Sequence, residues 1–108
     1  MMAWMTLLLA GACEIGWPLG FKLAQTTGHR HVFILVAALS MGVSGWLLYL
    51  AQKSIPIGTA YAVWTGIGAA GAFTVGVLMF GDVLSFGRLL GVSMIVGGVV
   101  VLKIMGTS

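Results

Sequence analysis

From Ser54 to Gly81 no side chain carries a charge, and the same is true from Val32 to Gln52. Apolar runs of this length have one common physical solution. A bilayer core of about 30 Å is crossed by about 20 apolar residues in a helix. Inside lipid, every backbone N–H and C=O must find its partner within the segment, and a helix provides that. The remainder of the chain reads the same way. Only 6% of the 108 residues are charged, against 60% hydrophobic, whereas a soluble domain carries about 25% charged residues to meet water. Disorder needs low hydrophobicity and high charge, so it is excluded as well.

Charges then mark the boundaries of four expected spans, at about residues 3–21, 32–52, 57–80 and 86–105. Glu14 interrupts the first span, which ends at Lys22; Arg88 and Lys103 lie near the ends of the fourth and can snorkel to headgroups. The connections at 25–31, 53–56 and 81–83 are short, so consecutive helices are expected to be antiparallel neighbours. Residues 1–108 are thus read as one all-α integral membrane domain of four helices, with no room for a soluble domain. The start lacks a basic segment and carries Glu14 within its apolar run, which argues against a secretory signal. The net charge of +3 comes from scattered basic residues, unlike the clustered patches that bind nucleic acid. Cys13 is alone, so it forms no intrachain disulfide and no cysteine-based zinc site.

Basic residues near helix ends set orientation. Lys53 and Lys103 fall on the side of the termini and the second loop, while Lys22, Arg30 and Arg88 fall on the other. Two against three is almost no bias. It leaves open both a single topology and insertion in both directions, the latter giving an antiparallel dimer. Glycine numbers 17, mainly in the last two spans. Gly87 and Gly91 form a GxxxG pair, and Ser93 and Gly97 a small-xxx-small pair, spacings that let helix backbones approach in lipid. In the third span Gly66, Gly68, Gly71 and Gly76 allow either a hinge or close packing.

Glu14 is the sharpest feature of the sequence. An acid in mid-span costs about 2.5 to 3.5 kcal/mol on insertion scales and by default marks an ion path or proton relay. Removal from water disfavours the bare carboxylate, so the group holds a proton or an organic cation, and not both. That competition is the minimum machinery for proton-coupled cation antiport. The structural alternative is a protonated Glu bonded to a neighbouring helix. Trp17 lies three residues on, on the same helical face, with an indole N–H able to orient the carboxylate. Gly11 and Phe21 continue that stripe, and Pro18, which lacks an N–H, predicts a kink.

Tyr61 and Trp64 repeat the i, i+3 aromatic spacing in the third span, with Gly68 a turn further. They form either one wall of a cation site or part of an interfacial aromatic belt. Ser40 and Ser44 lie one turn apart in the second span, where a serine can also bond its own helix. Other motifs carry little. Gly66 to Gly71 fits GxGxxG, but it sits inside a charge-free span, and the next acid, Asp82, comes too early for a dinucleotide site. His29 and His31 lack further ligands for a metal. Asp82 reads as a loop residue, and no nucleophile–base pair is apparent, so neither a cofactor nor an enzymatic activity is expected.

On these residues the chain resembles the small multidrug resistance family over almost its whole length. The likeness rests on the four-span layout, on Gly11-Ala12-Cys13-Glu14-Ile15-Gly16-Trp17, and on the long segment from Pro56 to Gly68 containing Tyr61, Trp64 and Gly66. The resemblance implies an antiparallel, dual-topology homodimer in a bacterial cytoplasmic membrane that exports cations in exchange for protons. It implies Glu14 of both subunits as the shared proton and substrate site, Tyr61 as a gate switch and Trp64 as a pocket wall. It also implies that the fourth span, with Gly87, Gly91 and Gly97, holds the dimer together. Trp17 is similar to the guanidinium-exporting branch, formerly called SugE-like, and the same likeness makes Ser44 a partner in the glutamate network. Pro18 departs from the alanine of that branch and bears on selectivity. A broad exporter of quaternary ammonium ions, a non-transporting membrane subunit, and a heterodimer with a paralogue are the rival expectations.

Overall fold

The computed structural model describes residues 2–105, and all its regular elements are helices: α1 (Met2–Glu14), α2 (Gly16–Thr26), α3 (Arg30–Ala51), α4 (Ile57–Phe80) and α5 (Phe86–Met105). The first two form one span, Met2–Thr26, interrupted at Ile15. With α3, α4 and α5 this makes four helices of 20 to 25 residues, each long and apolar enough to cross a bilayer.

The interruption has a covalent cause. Pro18 has no N–H, so the Glu14 carbonyl four residues earlier loses its helical donor. The backbone tightens there, the Ile15 N–H reaching back only to the Ala12 carbonyl (3.3 Å), and the ladder resumes when the Leu19 N–H meets the Ile15 carbonyl (3.2 Å). α2 does not stop at Lys22 but runs on to Thr26, where the hydroxyls of Thr26 and Thr27 turn back onto the carbonyls of Lys22 (2.9 Å) and Leu23 (2.7 Å).

At its far end α4 stops on Gly81, whose φ of 69° is left-handed. Only glycine adopts that conformation at low cost, and it lets the Asp82 N–H close onto the Gly76 carbonyl (3.0 Å). Ser85 then caps α5, its hydroxyl accepting the Arg88 N–H at 3.2 Å.

The buried core gathers Trp4, Leu7, Ala51, Ile55, Ala60 and Val63, at the end of the bundle that holds the second loop. α3 packs along both α1 and α2, and α4 along α1. Small residues set these spacings. A Cβ on Gly20 would lie 3.0 Å from that of Ala37, so α2 and α3 touch almost backbone to backbone. α5 is different. Its backbone packs on α4, with the Lys103 ammonium reaching over the Trp4 ring of α1, 5.0 Å from its centre; among the described residues it has none that is buried, and nothing lies within 4 Å of the Cβ positions of Gly87, Gly91 and Gly97.

Candidate functional site around Glu14

Glu14 is the last residue of α1, so its side chain leaves the helix where the backbone breaks. It is half-buried, and its Oε1 accepts the indole N–H of Trp17 at 2.7 Å. A hydrogen bond to an ionised acceptor is worth about 1.5–3 kcal/mol, at the lower end where water still reaches the group. Among the described residues no ion pair neutralises this carboxylate. The Trp17 ring is fixed in turn by Phe21, edge to face at 5.6 Å.

The space for Glu14 is created by α4. A Cβ on Gly68 would stand 2.5 Å from the Glu14 Cγ, so only glycine at that position lets the acid lie across the helix. The contact is reciprocal one turn away, where Gly11 of α1 faces the Ile67 side chain at 2.8 Å. Gly71 seats the side chain of Ile15, Gly76 receives the Asp82 carboxylate, and Gly66 takes Val99 of α5 at 2.6 Å. Each of these α4 glycines therefore meets a particular neighbour, while α4 itself is continuous. Gly66 thus belongs to the seat of α5 and Gly68 to the glutamate.

A second polar cluster lies beside the first. Ser44 is fully buried, and its hydroxyl donates to the Ala10 carbonyl on α1 at 2.7 Å, rather than to its own helix. It accepts the indole N–H of Trp64 at 2.8 Å. The Ala10 carbonyl is the one that takes the Glu14 N–H in a regular helix. Ser44 and Trp64 thus fix the backbone turn that carries the glutamate and form no hydrogen bond with its carboxylate. Ser40, a turn earlier on α3, packs its side chain on Gly16, next to the helix break. Tyr61 stacks obliquely on Trp64, with ring centres 5.5 Å apart at 50°, and is largely exposed at 56%.

Several contributors carry no sequence signal. Ala10 acts through its carbonyl, which every residue has. The pairing of Ile15 with Gly71 joins residues far apart in the chain, and only the i, i+3 spacing of Gly68 and Gly71 hints at a groove on α4.

Four helices long and apolar enough to cross a bilayer, with a half-buried carboxylate oriented by an indole, define an integral membrane protein. Comparison with known proteins narrows the class. Residues 2–95 match the family model described as Small Multidrug Resistance protein. A protein named "Guanidinium exporter" from Yersinia pseudotuberculosis is 40% identical over 103 residues, covering 95% of this chain and 98% of its own length. Proteins of the same name from Salmonella typhimurium and Citrobacter freundii are each 42% identical, covering 95% of this chain and 97% of their own. The chain belongs to the small multidrug resistance family and is a multi-pass protein of the bacterial inner membrane.

Proposed function

We propose that this protein exports guanidinium-type cations in exchange for protons, with cation and proton competing for Glu14. The observation that carries the reading is the 2.7 Å bond from the Trp17 indole to the Glu14 carboxylate. It holds one oxygen and the carboxylate plane in place and leaves the other oxygen for a ligand. Guanidinium is planar and weakly hydrated, and it pairs with carboxylates through parallel N–H donors. An oriented acid suits such an ion better than a quaternary ammonium, which has no donors to place. The names of the relatives agree with this substrate class.

The working unit is an antiparallel homodimer of dual topology, with Glu14 of both subunits in one site and α5, bare in the single subunit, at the interface. The two-against-three distribution of basic residues permits insertion in both directions. Tyr61 and Trp64 line the approach, and alternating access exchanges the conformations of the two subunits. The break at Ile15 supplies a joint that lets α2 move relative to α1 without unfolding either.

Transport currents from purified protein in proteoliposomes test this. Guanidinium should give currents that weaken as the pH is lowered, because protons then occupy more of the carboxylate, and E14Q should abolish them. Full transport by E14Q would overturn the proposal. Equal currents with a quaternary ammonium ion would replace the narrow exporter by a broad one and point to Pro18.

A further inference from the structure

Between α2 and α4 runs a cleft of about 190 Å³, room for several waters or one small cation. Ile15 and Pro18 line its inner end, next to Glu14, and Lys22, Phe80 and Asp82 line its outer end. Lys22 lies two helical turns beyond Ile15, about 10 Å along the axis at 1.5 Å per residue. The cleft therefore reaches from the neighbour of the half-buried acid to charged residues at the end of the span. Its mouth is built like a cation site with a cation already in it. The Lys22 ammonium stands over the Phe80 ring, 5.9 Å from its centre, within reach of a cation–π attraction. The Asp82 carboxylate is folded in against Gly76 on the same wall, held there by the Asp82 N–H bond to the Gly76 carbonyl.

Resting on the guanidinium reading above, we propose that Phe80 and Asp82 form an outer staging site where the substrate cation pauses before it reaches Glu14, and that Lys22 is a tethered competitor for it. An arriving guanidinium displaces the ammonium from the ring, donates to the Asp82 carboxylate, and passes along the cleft beneath Pro18. Ile15, seated on Gly71, closes the inner end. A planar cation that stacks on Phe80 fits this mouth, because it brings N–H donors and a flat face together. Neither Asp82 nor Lys22 touches Glu14, so their effect falls on entry and not on the exchange itself.

The opposite charges predict opposite signs. In guanidinium current titrations, D82N should raise the half-saturating concentration about fivefold at low ionic strength and K22Q should lower it, both with unchanged maximal current. The shifts should shrink in high salt, because exposed charges are screened. Equal shifts of the same sign, or none, would overturn the staging site while a dead E14Q left the transport reading intact. A second readout needs no transport. In a C13S background, V75C should react with a cationic, water-soluble thiosulfonate, more slowly with D82N and faster with K22Q. A V75C thiol that does not react would remove the cleft as a route even if the transported ion proved to be another.

Discussion

The helices α4 and α5 are both rich in glycine, yet their glycines behave in opposite ways. On α4, Gly66, Gly68, Gly71 and Gly76 each face a particular atom group, so a methyl at any of them meets Val99, Glu14, Ile15 or Asp82. On α5, Gly87, Gly91, Gly97 and Gly98 face open space, and Leu89, Leu90, Met94 and Val96 around them are exposed. The same residue type thus does two jobs. In one helix it completes a site within the subunit. In the other it leaves a smooth surface that makes sense only against lipid or a second copy.

Four variants sharpen that contrast, in order of expected effect. G68A puts a methyl 2.5 Å from the Glu14 Cγ, so the carboxylate must shift by about 1 Å, and a misplacement of that size costs about 100-fold in a positioned reaction. Guanidinium flux in proteoliposomes should fall accordingly, with the protein still inserted and helical. Wild-type flux from G68A would separate the glycine from the glutamate. W17F keeps the ring against Phe21 but deletes the N–H. Apparent guanidinium affinity should weaken about 10-fold, the lower end (about 1.5 kcal/mol) for a bond to a charged acceptor; an unchanged half-saturation would show that the indole only fills space.

S44A leaves the Trp64 N–H without its acceptor and removes the tie to Ala10. It should cost about 1–3 kcal/mol of stability, read as a lower melting temperature in detergent, with a smaller loss of transport than in W17F. The last test lies on the other surface. G91L with G97L adds bulk where nothing lies within 4 Å. Helicity and melting of the single subunit should be unchanged, while crosslinking between copies should disappear. A subunit that unfolds instead would mean that α5 belongs to the same packed unit as α4.

The four spans were legible because lipid imposes a simple rule. Long charge-free runs must be helices, and the few charges fall at their ends. Lys22, Lys53 and Lys103 each settle over an aromatic ring, at 5.9, 5.4 and 5.0 Å from its centre, as snorkelling side chains do. Pro18 likewise announced a disturbance, although the break falls three residues earlier, at Ile15, beside the Glu14 carbonyl that the missing N–H leaves without its helical donor. The site was legible in part. Glu14 and Trp17 are neighbours on one helical face, so their contact follows from spacing alone.

The sequence by itself determined the solvent of this protein, the number of its spans and the presence within one of them of an acid with an indole beside it. These follow from composition and from periodicity within single segments. Only the tertiary structure decided which glycine receives the glutamate, that Ser44 bonds the backbone of α1 rather than its own helix, and that Lys22 shares a cleft with Asp82. Those contacts join separate segments, and in lipid the pattern of apolar residues hardly tells one helix face from another. Apolar side chains face neighbours and lipid alike, so close fit between particular surfaces, and not hydrophobicity, selects the contacts.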